Sequence, residues 1–261
     1  MERDEIMNSN TQNIQIKKLT LTFNKEKILH DINLTIPTQG ITILLGRSGS
    51  GKTTLLRTLN RLNETYEGHQ ITGQISLPIQ GLPKNINDIP QNDLPKLRQK
   101  VGMVFQTPNP LPISVRKNIT LPTQLTLNMT KKQSETKAEE TLKQVGLWEE
   151  IKNSLNKPAK DLSGGQQQRL CFARTLALNP EILLLDEPTA SLDKKSSSTI
   201  ENLILTLKNK IPIILVSHSL SQAIKLGDRY IIMNEGKIKT TIKKEELTAT
   251  ETDEKTLEKY L

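Results

Sequence analysis

The chain has 261 residues and a mass of 29.4 kDa, the size of one large domain or of a core domain with a smaller insert. Hydrophobic residues make up 34% and charged residues 25%, and no apolar run approaches the roughly 18 residues that a membrane crossing needs. The formal net charge is +8, from 27 Lys and 9 Arg against 28 acids, but the lysines are scattered and aromatic residues are only 3%, which argues against a base-stacking nucleic-acid platform.

The opening residues, MERDEIMNSNTQN, carry early acids and no apolar stretch, so they do not read as a secretory signal; residues 1–13 are expected to be flexible. A single cysteine, Cys171, excludes an internal disulfide and fits a reducing compartment. From Ile14 apolar residues alternate through Phe23, and again from Ile28 to Ile36, predicting two short strands with a turn near Asn24-Lys25. Ile41–Leu45 reads as a buried strand entering a glycine-rich turn, with a helix from about Gly51 to Leu62. A short strand is predicted over Ile71–Leu77 and another over Val101–Phe105. The proline- and asparagine-rich stretch between them receives no element.

From about Pro108 to Leu162 the pattern turns helical, notably Lys131–Val145, bounded by proline-containing turns. Alternation then resumes: helix Gly165–Leu178, strand Ile182–Asp186, helix Lys194–Lys208, strand Ile211–Val216. Strands alternating with helices of this length predict βαβ units on a mainly parallel sheet, an α/β fold.

Three places carry chemistry. Gly46-Arg47-Ser48-Gly49-Ser50-Gly51-Lys52-Thr53 fits G-x-x-x-x-G-K-[ST] between a strand and a helix. Its glycines let backbone N–H groups turn inward at a positive helix end, Lys52 offers a point charge to β- and γ-phosphates, and the Thr53 hydroxyl suits Mg²⁺. Four aliphatic residues then lead into Asp186 and Glu187. Successive strand residues face opposite ways, leaving Asp186 for a metal beside the cradle and Glu187 for an attacking water. Ser163 before Gly164-Gly165-Gln166 offers a second capped helix start without a lysine.

Together these residues resemble the nucleotide-binding subunit of ABC transporters from Ile14 to about Lys244, with every motif in the family's order. The resemblance implies a P-loop NTPase (RecA-like) core over residues 14–244, an antiparallel β subdomain, an α-helical subdomain at about 107–162, and a helical tail at 245–261. It implies that Phe23 stacks on adenine and that Gly46 to Thr53, followed by Thr54, hold the phosphates. Thr53 and Gln106 would ligate Mg²⁺ with Asp186 nearby. Glu187 would be the general base and His218 the switch histidine. Ser163, Gly165, Gln166 and Asp193 would meet ATP across a head-to-tail homodimer.

Leu59–Asn63, Val101–Pro110 with its Pro-Asn-Pro, and Leu147–Ile151 are similar to the phosphate-import ATPases of that family. Arg47 and Ser50 depart from their usual Pro and Cys, and Ser219-Leu220 from their Asn-Met. The resemblance implies a peripheral ATPase at the cytoplasmic face of the cell membrane. Its implied partners are integral-membrane permease subunits and, indirectly, a solute-binding protein, with no nucleic acid. The alternatives are an importer ATPase for another solute and a soluble ABC ATPase acting on nucleic acid or the ribosome. His30 and His69 read as structural or exposed, Cys171 and Trp148 as packing residues, and Gln167 and Gln168 as the polar face of their helix.

Overall fold

The computed structural model describes residues 13–247 and 257–258; the expectation of a flexible start therefore lies outside the described residues except for Asn13, as does most of the expected helical tail. Two sheets carry the fold. A three-stranded antiparallel sheet has the order β2-β1-β4, from β1 (Asn13–Phe23), β2 (Glu26–Pro37) and β4 (His69–Ser76). A six-stranded sheet has the order β5-β6-β7-β3-β8-β9: β3 (Ile41–Leu45), β5 (Val101–Val104), β6 (Ile182–Asp186), β7 (Ile213–Val216), β8 (Arg229–Asn234) and β9 (Lys237–Lys243). Its strands run parallel except β9, which returns antiparallel beside β8.

The parallel strands are mostly aliphatic because both faces are covered. Ile41, Ile43, Leu183, Leu185 and Ile213 pack into one core with the helices, while Leu44, Leu184, Ile214 and Val216 pack into a second with the antiparallel sheet. Alternate residues of one strand thus serve two cores, as the period of two requires.

In chain order the helices are α1 (Lys52–Thr58), α2 (Leu94–Lys100), α3 (Val115–Leu127), α4 (Lys131–Gln144), α5 (Trp148–Ile151), α6 (Gly164–Ala177), α7 (Lys194–Leu207), α8 (Leu220–Leu226) and α9 (Lys244–Leu247). The helical segment α3–α5 shares the first core through Val115, Ile119, Leu142 and Ile151.

Several elements differ from the sequence-based expectation, among them β1, β2, α1 and α2. The first two strands are long, at 11 and 12 residues, and join through Asn24 and Lys25, both at positive φ. Helix α1 stops at Thr58 rather than Leu62 because side chains capture its carbonyls: Thr58 Oγ1 and Asn63 Nδ2 both donate to the Thr54 carbonyl, and Arg61 adopts a left-handed conformation at φ 55°. The stretch without a predicted element holds α2, entered through a 3₁₀ turn with Pro95 in its first turn, the position where proline costs a helix least.

Candidate functional site

Four neighbouring parallel strands, β5, β6, β7 and β3, deliver the motifs from their carboxyl ends: Gln106 after β5, Asp186 and Glu187 at the end of β6, His218 after β7, and the phosphate loop after β3. That edge is where open α/β sheets bind ligands.

The phosphate loop is shaped by close approach. A Cβ on Gly46 would fall on the Met233 carbonyl oxygen of β8, and Gly51, at φ 94°, makes the left-handed turn that opens α1. Lys52 is 5% exposed. Its Nζ donates at 2.8 Å to the carbonyls of both Gly46 and Arg47, so the ammonium sits inside the curl of its own loop. Burial pushes its pKa below the ordinary 10.5, while the carboxylates of Glu187 and Asp186 pull it back up. Arg47, Ser48 and Gly49 are exposed on the outer turn, whereas Ser50 is buried with its hydroxyl unpaired.

Asp186 is 3% exposed and faces α1. Its Oδ1 accepts from Thr53 Oγ1 at 2.8 Å, and its Oδ2 lies 3.4 Å from Arg57 Nη2. Thr53 and Asp186 supply two hard oxygens, a donor set that suits Mg²⁺ when substrate phosphates and water complete the shell. Among the described residues no cluster of three or more His, Cys, Asp or Glu could hold a metal alone. Gln106 is exposed and makes no hydrogen bond to Thr53 or Asp186.

Glu187 turns the other way. Its backbone lies at φ 46°, a region uncommon for a side chain of this size and typical of sites whose surroundings fix them. The His218 Nε2 stands 2.7 Å from Glu187 Oε1, with Glu187 12% and His218 47% exposed.

Beside the loop lies a cavity of about 400 Å³ lined by Phe23, Thr53, Thr54, Arg57, Tyr66 and Glu67. Phe23 packs edge-on against Tyr66, with ring centres 6.0 Å apart, and 5.8 Å from His69. Arg57 joins this rim to the carboxylate, donating to the Tyr66 hydroxyl at 2.8 Å. Sequence reading missed Arg57, although its i+4 spacing from Thr53 on α1 puts both on the Asp186 side.

The second helix start forms a capping box: Ser163 Oγ accepts from the Gln166 N–H, and Gln166 Oε1 accepts from the Ser163 N–H at 3.1 Å. A Cβ on Gly165 would fall on Ser196 Oγ, so α6 starts against the start of α7, where Asp193 caps the Lys195 and Ser196 amides at 3.0 Å. Arg169 grips Glu150 through two bonds of 2.7 and 3.0 Å, and Gln166 donates to the same carboxylate.

The Arg169 hydrogen bond holds the Glu150 carboxyl below its ordinary 4.5. A carboxyl depressed in the fold contributes stability above its unfolded pKa and loses it as pH falls through the folded value. Glu150→Gln is therefore expected to melt below wild type at about pH 7, with the gap closing towards about pH 3. Water screens this partly exposed pair, so the gap is small; thermal melts across that range check it.

Gln168 corrects the expectation of a polar helix face: it is fully buried, with Nε2 donating at 3.0 Å to the carbonyls of Phe105 and Pro188. Its spacing with Phe172 and Leu176, both buried, was the available signal. Gln167 is half-buried and bonds the Leu162 carbonyl. Cys171 is buried and Trp148 packs against the core, as expected.

Residues 29–190 match the ABC transporter family. The chain is 42% identical to the phosphate import ATP-binding protein PstB 1 of Vibrio cholerae, over 86% of this chain and 81% of that protein. It is 44% identical to the phosphate import ATP-binding protein PstB of Borreliella afzelii, over 83% and 81%. Among solved structures, the dimeric post-hydrolysis state of an ATP-binding cassette bound to ADP and Pi matches with a TM-score of 0.74 and 31% identity, over 88% of this chain and 98% of that one. A component of the cbiONQ ABC transporter complex of Clostridium perfringens matches with the same TM-score, 26% identity and 89% of both chains. With a family model matched over more than half of the chain and relatives above 40% identity over most of it, the chain belongs to the ABC transporter family of ATP-binding subunits.

Proposed function

We propose that this ATPase drives import of inorganic phosphate across the cell membrane, working as a head-to-tail homodimer on the cytoplasmic face beneath integral-membrane permease subunits, with a solute-binding protein in the same complex. The observation that carries the reading is the Glu187–His218 pair at 2.7 Å, on the sheet edge that also bears a complete phosphate loop. The choice of phosphate rests on the 42% and 44% identity to phosphate import proteins.

Each group has a distinct task. The amides of Gly46 to Thr53, with Thr54 behind them, receive the phosphates at the start of α1, and Lys52 neutralises the β–γ bridge. Phe23 stacks on adenine at the mouth of the 400 Å³ cavity. Thr53, Gln106 and Asp186 would hold Mg²⁺, which when bound offsets the charge that develops on the phosphate oxygens. Glu187 takes the proton of the attacking water as its oxygen bonds to the γ-phosphorus and the bond to the bridging oxygen breaks. His218 moves its Nε2 contact to the γ-phosphate, freeing the Glu187 oxygen that it holds at 2.7 Å.

Ser163, Gly165 and Gln166 offer an anion-binding helix start with no cation of its own, which suits the γ-phosphate of a partner's nucleotide, and Asp193 stands exposed beside them. No helix among the described residues is long and apolar enough to cross a membrane. Leu111, Leu121 and Leu125 are exposed, and Leu111 follows directly on a Pro-Asn-Pro loop pinned by Arg174 donating to Asn109; these apolar side chains suit a membrane subunit.

Uptake of labelled phosphate at low external concentration, in cells with and without the gene, tests the solute. High-affinity uptake is expected to disappear without it and to return with wild type but not with Glu187→Gln. Unchanged uptake, in cells with no second copy, would discard phosphate and leave the ATPase standing.

A further inference from the structure

Gln168 sits on α6, five residues beyond Ser163, with no exposed surface. An amide NH₂ has two hydrogens to donate, and here each goes to a backbone carbonyl on a different strand exit. Phe105 is the residue before Gln106, and Pro188 the residue after Glu187; both acceptors are 3.0 Å away. The Oε1 atom is buried without a partner. Two carbonyl acceptors fix which way the amide points, since the flipped orientation would set oxygen against oxygen. A buried amide that leaves its own oxygen unsatisfied is kept in place for its two donors, because an apolar side chain of the same shape would bury at less cost.

The turn it grips is the strained one. Glu187 keeps its φ of 46° only while its neighbours hold it. Its N–H donates to the Val216 carbonyl, and its carbonyl accepts from Ala190. On the next residue, Thr189, a second buried glutamine from α8 takes hold: Gln222 Nε2 meets Thr189 Oγ1 at 2.6 Å, while its Oε1 accepts from Ser217, the residue before His218. Consecutive residues after Glu187 are thus fastened by amides from two different helices, and of these only Gln168 also reaches the strand exit of Gln106.

We propose that Gln168 is a positioning residue for hydrolysis, joining the backbone before Gln106 to the backbone after Glu187 so that α6 fixes where both side chains stand. The inference rests on Glu187 being the general base. It ties the helix whose start is offered to a partner's nucleotide to the two residues that complete hydrolysis on its own chain.

The test uses the purified full-length chain, with phosphate release, ATP affinity and melting temperature measured for four variants. Gln168→Met keeps the shape and removes both donors; a misplacement of order 1 Å costs about 100-fold in rate, so kcat is expected to fall about 100-fold while KM and ATP affinity stay near wild type, and the melting temperature falls modestly because the Phe105 and Pro188 carbonyls lose their donors. Gln168→Glu is expected to be as slow at neutral pH and to regain rate as pH falls, because its protonated hydroxyl can again donate to one carbonyl. Combining Gln168→Met with Glu187→Gln is expected to add nothing to the loss in Glu187→Gln alone, as for groups that act as a unit. Wild-type kcat in Gln168→Met overturns the proposal, as does a further 10-fold loss in the double variant. Parallel loss of ATP affinity and melting temperature also overturns it, by reducing Gln168 to packing. If Glu187→Gln itself hydrolyses at the wild-type rate, the base assignment fails, and with it the positioning of that carboxylate.

Discussion

Replacing Glu187 by glutamine is expected to leave ATP binding within a few-fold of wild type and to slow hydrolysis by about 10²–10⁴, the range that general-base catalysis supplies. The amide has the same shape and pays the same cost at φ 46°, so the turn into Pro188 is unchanged. Its carbonyl oxygen can still accept from His218 Nε2, which lies 2.7 Å from the carboxylate in the wild type. What it cannot do is take a proton from water. The variant also loses one of the two carboxylates that raise the Lys52 pKa against burial, while Asp186 remains. Phosphate release under saturating ATP, beside a direct measure of nucleotide affinity, separates the two effects. Because binding survives while turnover stops, ATP is expected to shift the variant towards a dimer in size-exclusion chromatography. A wild-type rate would remove Glu187 from the chemistry and leave His218 without its partner in catalysis.

The sequence made the strand exits legible because their signals are short-range. A run such as Ile182–Leu185, short and closed by Pro188, reads as a strand covered on both faces, and the glycine spacing before Lys52 fits a phosphate-binding loop. Both are properties of a few consecutive residues. Helix α2 and the early end of α1 were illegible for the opposite reason: the first follows a proline-rich stretch, and the second depends on Asn63 reaching back to the Thr54 carbonyl. Glu187 and His218 were each visible, but their contact was not, since it joins the ends of β6 and β7. Gln168 is the sharpest case. Written between Gln167 and Arg169 it reads as one more polar residue, yet its two acceptors lie 63 and 20 positions away. A glutamine's composition says polar; only the helix's position against two strand exits makes it buried.

Lys52→Met is expected to weaken nucleotide binding by about 10²–10³ without unfolding the chain. The ammonium is buried, its direct partners are two neutral carbonyls of its own loop, and burial already disfavours its charge. Removing it takes away a desolvated cation, which stabilises, and leaves the Gly46 and Arg47 carbonyls unpaired, which destabilises. Loop carbonyls on an exposed turn can turn to water, so the two changes nearly offset, and the melting temperature without nucleotide is expected to lie close to wild type. With nucleotide the balance differs, because no other cation is held inside the loop. Loss of one partner of a buried charge pair costs about 2–5 kcal/mol, or about 10²–10³ in affinity at the middle of that range. A ligand that binds only the folded chain raises stability by about 2.7 kcal/mol at one hundred times its dissociation constant. The same ATP concentration, at about the dissociation constant of the variant or below it, would raise the variant's stability by less than about 0.5 kcal/mol. Thermal melts of both proteins with and without ATP therefore give a clear contrast: a large shift for wild type and almost none for Lys52→Met. An equal shift in both would mean that the loop amides hold the phosphates unaided, while a low melting temperature in the absence of ATP would mean that Lys52 braces the loop rather than waiting for its ligand.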